Sequence, residues 1–442
     1  MKEEAEVEKL LEMAQRVADQ AEIFFIQSEA DGASFENARL KDIESKDQSG
    51  ISLRIIKGDK VGFAYTKNLL DRQEFLQNTL NSLKGGVEAP LGFSLTRDVP
   101  SLNTYDASIE SLSNSTLVEE CSRVCERLVP RTTGQVNLSA SRGIARRRLI
   151  NSRGTDLTAK SSYYSLNVEI LYPGSYSAIH RPLVSKKFDK APDRYIHFLL
   201  NLYNRSLPEM TVPTGRMKVL FLPETLYALI WRLESATNGR SVYQKVSPLI
   251  DKIGENIFDE KLTIDDDPLD DRLPGARAFD DEGTACRSLS IVSRGVLKNF
   301  YYDLFYARKM KASPTGHGFK SAMWGGETVS FKPAPSLAHL CIRPGERSLD
   351  ALLGVMDKGV VVAGVMGAHS GNILNGDFSV GLSPGLYVER GEIRGHLKDA
   401  MVAGNIFEVM KKVIAMEDTL HPTYGGTFPA ILFDDVSVAT KS

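Results

Sequence analysis

The chain has little cysteine, little net charge and no long apolar run. Four cysteines in 442 residues exclude a disulfide framework and predict a reducing compartment. A formal net charge of −2 argues against a nucleic-acid-binding surface as the main function. No stretch approaches the roughly 18 apolar residues that span a bilayer, and the acidic start MKEEAEVEKL is not a signal peptide. These absences predict a cytoplasmic protein without a membrane association.

Histidine is also scarce, and its spacing matters for metal binding. A helical zinc protease site needs two His one turn apart, with a Glu beside the first. None of the seven His residues is followed by Glu, and no two lie within five positions of each other. From Phe198 to Ala285 the chain contains neither His nor Cys, which excludes a self-contained helical zinc site in that span. A zinc site assembled from distant loops stays open.

The order of apolar patterns predicts an α+β protein of two or three domains. Helical stripes cover residues 2–20, 69–84, 114–128, 191–205, 224–238 and 404–416. Strand-like runs cover residues 22–28, 33–46, 49–57, 61–66, several parts of 135–172, 219–222, 360–366 and 428–438.

A segment with two Pro and one Gly, LPEMTVPTGR at 207–216, interrupts these patterns and indicates the main domain boundary. We therefore expect an N-terminal domain over 1–206, with sub-regions of about 1–86 and 113–206. The C-terminal domain would cover 207–442 and be rich in antiparallel strands.

The strongest candidate site is the polar loop GAHSGNILNGDFSVG at 367–381, which follows an apolar strand. Glycine allows backbone to approach a ligand closely, and loops of this kind frequently carry function. Its chemistry-bearing positions are His369, Ser370, Gly371, Asn372, Asn375, Gly376 and Asp377. Asp377 and Asn372 would equally well satisfy turn backbone groups.

Two acidic runs, DDDPLDD at 265–271 and FDDEG at 279–283, are weaker candidates. Neither matches a calcium-binding loop. The first is typical of an exposed turn, whereas the second could place Asp280 and Glu282 in a cleft. Nucleophilic catalysis has no support, because Ser370 is not in a Gly-x-Ser-x-Gly elbow.

Several blocks of the sequence resemble the TldD/PmbA family, first described as modulators of DNA gyrase and now classed with metalloproteases. They are SGISLRIIKGDKVGFAYT at 49–66, GRSVYQK at 239–245, DDPL at 266–269, FDDEG at 279–283, GVLKNFYYDLFYARKMK at 295–311, the loop at 367–381 and LYVERGEI at 386–393. The resemblance covers nearly the whole chain. The loop at 367–381 is its most specific block, and it resembles the PmbA branch, also called TldE.

The resemblance implies an N-terminal α/β domain with a mixed sheet and a C-terminal domain of antiparallel strands. In this family, TldD and PmbA form a heterodimer that cleaves unfolded or extended peptides. TldD holds zinc with a helical His-Glu-x-x-x-His motif and a Cys near its C-terminus. The corresponding segments here, ETLYALIWRLESATN at 224–238 and AMEDTL at 415–420, contain neither His nor Cys.

The leading hypothesis is therefore a subunit that binds no metal or other cofactor itself, with zinc on a TldD-like partner. It would pair with that partner or form a homodimer, and the loop at 367–381 would face the peptide substrate. Ser370, Asn372, Asn375 and the amides of Gly371 and Gly376 would hydrogen-bond the peptide, which His369 would orient.

Two other hypotheses stay open. The first is a stand-alone hydrolase that uses His369, Asp377, Asp280 and Glu282. The second is a regulator that acts by binding, on DNA gyrase or on an RNA- or carbon-storage system.

Overall fold

Two six-stranded sheets, a ten-stranded sheet and the helices packed on them form most of the computed structural model. It describes residues 2–90, 92–321 and 326–440. The helices are α1 (Lys2–Gln15), α2 (Arg72–Ser82), α3 (Asn114–Leu128), α4 (Asp193–Arg205), α5 (Tyr227–Thr237), α6 (Gly239–Tyr243), α7 (Leu304–Met310), α8 (Leu349–Met356) and α9 (Ile406–Val409). No described helix is long and apolar enough to cross a bilayer.

The strands of the first half are β1 (Gln20–Glu36), β2 (Arg39–Lys57), β3 (Lys60–Thr66), β4 (Val136–Asn151), β5 (Asp156–Leu171), β6 (Ala178–Ser185) and β7 (Glu209–Met210). The middle strands are β8 (Gly215–Phe221), β9 (Ile264–Asp266), β10 (Leu289–Ser293), β11 (Val296–Leu297), β12 (Gly318–Phe319), β13 (Ala334–Pro335), β14 (Leu340–Ile342), β15 (Gly359–Val362) and β16 (Val365–Met366). The last strands are β17 (Asp377–Leu382), β18 (Gly385–Glu389), β19 (Glu392–Leu397), β20 (Ala400–Asn405), β21 (Val413–Met416), β22 (His421–Thr423), β23 (Gly426–Phe428) and β24 (Ile431–Thr440).

The N-terminal sheet has the strand order β3-β2-β1-β4-β5-β6, and each neighbouring pair is antiparallel. The expectation of a mixed sheet here is therefore wrong. Strands that follow one another through tight hairpins must run antiparallel, and β1 to β3 and β4 to β6 are two such meanders.

The first hairpin lies where the sequence pattern predicts one strand over 33–46, so that prediction is also wrong. Asn37 and Ala38 turn the chain with φ of 48° and 58°. Two consecutive residues with positive φ fit a primed hairpin turn, whose twist matches that of the flanking strands. Alanine is not a turn signal, and for that reason the turn escapes the sequence pattern.

The predicted helix over 404–416 is wrong as well. Ile406, Val409, Met410 and Val413 have helical spacing, but only Ile406–Val409 is helical. The residues before it form β20, and those after it form β21, which pairs with β24. All four side chains are buried, so tertiary strand pairing has overridden the local pattern.

The ten-stranded sheet of the second half is mixed. Its central strands β8 and β15 are parallel, and β15 pairs with β18 and β8 with β24 in antiparallel register. Most of its other pairs are antiparallel, so the expectation of a C-terminal half rich in antiparallel strands is confirmed.

One apolar cluster extends through both halves of the chain. Leu166 of β5 and Leu199 of α4 belong to the same buried cluster as Leu352 of α8 and Leu432 of β24. The segment 207–216 contains β7, which pairs with β19, and the start of β8. Our division at 207–216 stays a prediction.

The backbone bend that leads into the candidate loop depends on Gly364. Its amide donates to Pro384 O at 3.0 Å, and it separates β15 from β16 where the sequence predicts one strand over 360–366. A Cβ at this position would lie 2.0 Å from Ser383 O. This backbone cannot move aside cheaply, because Ser383 N itself donates to Gly364 O at 2.9 Å.

We expect Gly364→Ala to lower the free energy of unfolding by about 1–3 kcal/mol or more. Gly354→Ala is the matched control, because Gly354 lies inside α8 and a Cβ there would have no neighbour within 4 Å. That change should raise stability by roughly 0.5–1 kcal/mol. Urea denaturation measures both, and equal effects would contradict this account of the bend.

Candidate functional site

The loop between β16 and β17 is a series of tight turns closed by its own backbone. Ser370 N donates to Gly367 O at 2.8 Å, and Asp377 N donates to Asn372 O at 3.0 Å. Gly371 has a φ of 99°, and a Cβ on it would lie 2.6 Å from Asp377 O. The glycines are thus required for the turns themselves.

A single guanidinium on helix α5 holds this loop from behind. Arg232 is fully buried, and its Nε donates to Asp377 O at 2.7 Å. Its terminal nitrogens donate to Ala368 O at 3.0 Å, Ser370 O at 2.7 Å and Ala228 O at 2.5 Å. Burial lowers the pKa of Arg232. The planar guanidinium therefore fixes three carbonyls of the loop to one helix.

From the sequence, this helix was notable only for its lack of His and Cys, and the role of Arg232 was missed. A signal was present, because an arginine occurs among the apolar residues Leu229, Ile230 and Leu233. A charged residue on the buried face of a helix needs several polar partners. Which partners it would find depends on a loop more than 130 residues later.

The loop residues differ in what they offer to a ligand. His369, Gly371, Asn372 and Asn375 are exposed, whereas Ser370 and Asp377 are half-buried. Asn405 Nδ2 donates to Asp377 Oδ1 and to Asn375 O, both at 2.8 Å.

Gly376 is buried, and its amide donates to Ile373 O at 3.1 Å. Its amide is therefore engaged in the turn, and the prediction that this amide hydrogen-bonds the peptide is wrong. The peptide-facing role of the other loop residues stays a prediction.

Asp280 and Glu282 lie elsewhere, in a polar core between the two halves of the chain. They are 1% and 2% exposed, so they do not line an open cleft. Asp280 accepts the amides of Glu282, Thr284 and Gly318 at 2.8–3.0 Å. Burial, together with repulsion by Glu282, raises the pKa of Asp280 well above its ordinary range.

Arg54 of β2 joins the N-terminal sheet to this acidic turn. It donates to Glu22 Oε1 at 2.6 and 2.8 Å and to Glu282 Oε1 at 2.8 Å. Burial opposes the charge of Arg54, yet the two carboxylates raise its pKa. We refer to Glu22, Arg54, Asp280, Glu282 and Lys320 as the buried charge cluster.

This placement of Asp280 and Glu282 argues against the stand-alone hydrolase hypothesis. That hypothesis needs His369 and Asp377 in one site with Asp280 and Glu282. The first two are on a loop held by helix α5, whereas the other two are sealed under the N-terminal sheet. The four residues do not form one substrate-accessible site.

Lys320 belongs to the buried charge cluster, and the sequence did not identify it as a residue of interest. Its Nζ donates to Ser52 Oγ at 2.6 Å and to Phe331 O at 3.0 Å. Burial lowers the pKa of Lys320 to about 7, and the nearby Arg54 acts in the same direction. An amine whose pKa lies near neutral pH is suited to proton transfer. Lys320 is only 5% exposed, however, so its role is structural.

Among the described residues, no group of three or more His, Cys, Asp or Glu side chains is placed to hold a metal ion. Helix α5 presents Arg232 where the family resemblance implies a zinc motif. A guanidinium is not a metal ligand, so the residues present there do not fit a zinc ion. The four cysteines are free thiols.

Comparisons with known proteins identify the family to which this chain is similar. Residues 214–440, just over half of the chain, match the family model described as the PmbA/TldA metallopeptidase C-terminal domain. Residues 21–84 match the model described as PmbA/TldA metallopeptidase domain 1.

Two curated relatives and one solved structure are similar over almost their whole lengths. An uncharacterised protein of Methanocaldococcus jannaschii is 28% identical over 93% of this chain and 95% of its own length. The metalloprotease PmbA homolog of Haemophilus influenzae is 23% identical over 97% of this chain and 94% of its own. The crystal structure of TldE from Thermococcus kodakarensis is 20% identical, covers 98% of this chain and 99% of its own, and has a TM-score of 0.89. The α+β fold class is thereby confirmed.

The first prediction for this site concerns Arg232. We expect Arg232→Met to accelerate amide hydrogen exchange over 368–377 by tenfold or more, because three carbonyls of the loop lose the donor that holds them. Arg216→Met is the control, since it removes an exposed pair with Asp435 and should cost at most about 1 kcal/mol. Unchanged exchange in the loop of the Arg232 variant would show that the guanidinium does not hold it.

The second prediction concerns Lys320 and pH. Its pKa is about 7 in the folded chain and 10.5 ordinarily, so between these values the unfolded chain binds a proton that the folded chain does not. The unfolding free energy of the wild type, minus that of Lys320→Met, should therefore rise with pH across this window. Its slope should approach about 1.4 kcal/mol per pH unit. Urea denaturation at several pH values measures the difference, and a flat difference would contradict the lowered pKa.

Proposed function

We propose that this chain, which belongs to the PmbA/TldD metallopeptidase family, is a TldE-type subunit without a zinc of its own. It would hold an extended peptide for a zinc-carrying TldD-type partner. The family descriptions and the name of the Haemophilus relative support a proteolytic role for the family. The likeness to TldE supports the choice of branch.

The single observation that carries the proposal is Arg232. The resemblance implies that the zinc motif of a TldD-type chain lies on the helix that corresponds to α5. In this chain the buried face of α5 carries a guanidinium that donates to the carbonyls of Ala368, Ser370 and Asp377. Its positive charge disfavours a second cation nearby. In this proposal, helix α5 would hold the loop instead of a metal ion.

The held loop is suited to binding extended backbone. His369, Ser370, Asn372 and Asn375 offer donors and acceptors, and the amide of exposed Gly371 adds one more donor. An extended peptide presents alternating N–H and C=O groups that such a surface can pair. Because Arg232 fixes the loop before the peptide arrives, less conformational freedom is lost on binding.

The chain would act in the cytoplasm, in a heterodimer with the TldD-type subunit, or as a homodimer when that subunit is absent. Its free thiols fit the reducing compartment that the sequence predicts.

Reconstitution tests the proposal. The purified chain should bind no stoichiometric zinc and cleave no unstructured peptide, and addition of the TldD-type chain from the same organism should produce cleavage. Zinc at one per chain, removed together with an intrinsic peptidase activity, would refute the proposal.

Within the reconstituted complex, Asn372→Ala should raise KM severalfold without lowering the zinc content, because it removes a peptide contact and leaves the metal untouched. Asn201→Ala on the exposed face of α4 is the matched control and should leave KM unchanged. If the Asn372 variant behaves like the control, Asn372 does not face the peptide.

A further inference from the structure

A cavity of about 410 Å³ lies between strands β4 and β5 of the N-terminal sheet and residues 276–279 of the second half. The segment 99–105 forms a further wall. Thr104 Oγ1 in this segment donates to Lys160 O at 2.6 Å, so the wall is attached to the sheet. The volume falls within the range of about 300–1,000 Å³ that small-molecule sites occupy.

One guanidinium that lines this cavity has free N–H groups. Arg147 of β4 donates from Nη1 to Ser161 Oγ at 3.2 Å, which fixes the orientation of the group. Among the described residues, Arg147 forms no ion pair, and its Nε and Nη2 have no hydrogen-bond partner. Unlike Nε of Arg142, neither of these nitrogens is shut off from solvent. A ligand in the cavity can therefore reach both of them.

The charges next to Arg147 do not balance it. Arg277 also lines the cavity and donates to Asp281 Oδ1, while Asp281 Oδ2 accepts the Lys320 amide at 2.8 Å. Asp281 attracts Arg147 as well, but its side chain is only 2% exposed and does not line the cavity. Burial and repulsion by Arg277 lower the pKa of Arg147 to about 10. Two guanidiniums thus share one carboxylate, which leaves a net positive charge at this wall.

The other charged groups around the cavity are already engaged. Lys160 Nζ donates to Glu110 Oε1 at 2.5 Å. At the opposite wall, Asp271 accepts the Asn103 amide at 2.6 Å, and Lys186 donates to Asn103 O at 2.7 Å. Among the described residues that line the cavity there is no Asp or Glu. An anion that enters would therefore meet no opposing carboxylate on the cavity surface.

We propose that this cavity binds an organic carboxylate with an apolar body, either a free carboxylic acid or the C-terminal residue of a peptide. The two carboxylate oxygens would accept from Arg147 Nε and Nη2, which lie on one edge of the planar guanidinium and suit bidentate pairing. The apolar body would lie against the half-buried side chains of Val99, Leu102 and Ala278. The inference concerns a different place from the loop at 367–381 and does not depend on the proposed function.

The same features select a carboxylate over related groups. A primary amide has no charge and replaces one acceptor by an NH₂ group, which would face the donors of Arg147. Inorganic phosphate can accept from the guanidinium, but it has no apolar part to cover the hydrophobic wall. An apolar carboxylate satisfies both the charge and the wall.

Calorimetry on the full-length wild-type chain tests the proposal through the ligand. Isocaproate or N-acetyl-leucyl-leucine should bind at one site per chain, and the tighter of the two identifies a free acid or a peptide end as the source. Isocaproamide and N-acetyl-leucyl-leucinamide should bind about tenfold or more weakly than the matching acids, and so should inorganic phosphate. Failure of both acids to bind, equal binding of acids and amides, or equal binding of phosphate would overturn the proposal.

Variants test the same point from the protein side. Arg147→Met should weaken binding of the acid about tenfold or more, and Arg147→Lys should weaken it severalfold because an ammonium lacks the two-pronged edge. Arg148→Met is the matched control, since this next residue of β4 faces the other side of the sheet, where it pairs with Glu8 and Asp156. It should leave binding unchanged. Full affinity in either Arg147 variant would overturn the assignment, and the amide ligands keep the test valid if a variant does not fold.

Discussion

A buried guanidinium must find partners for its N–H groups inside the protein, and this constraint organises the described structure at three junctions. Arg54 fixes the N-terminal sheet to the acidic turn at Glu282. Arg232 fixes helix α5 to the candidate loop. Arg181 meets Glu224 where β6 approaches the same helix. Each arginine lies on a regular element and contacts a partner far away in the sequence, so each contact is also a statement about how the elements pack.

The three junctions differ in how completely the guanidinium is hydrogen-bonded. Arg232 finds four carbonyl acceptors and no carboxylate, which gives a rigid loop with a polar outer face. Arg54 is paired with two carboxylates in a sealed core. Arg181 has a buried Nε without a hydrogen-bond partner among the described residues. A buried ion pair is weak evidence for stability, because the cost of removing two charges from water offsets much of their attraction.

Helix α5 and the turn before it take part in two of these junctions. Arg232 in the middle of the helix supports the loop, and Glu224 in the turn before it pairs with Arg181. The contacts that the structure shows for Arg232 on this helix are to backbone carbonyls of the loop.

The amino-acid sequence by itself determined the elements whose signals are local. The glycines and polar residues of 367–381 identify the loop, and apolar periodicity identifies helices such as α3 and α4. The sequence pattern mispredicts elements whose structure depends on pairing with strands far away in the chain. At 404–416, for example, residues with helical spacing form part of a strand that pairs with β24. Only the tertiary structure decided that Asp280 and Glu282 are sealed in a core and that Arg232 holds the loop. The physical reason is that a charged side chain carries no local sign of its partner, because the partner is chosen by which elements come together when the chain folds.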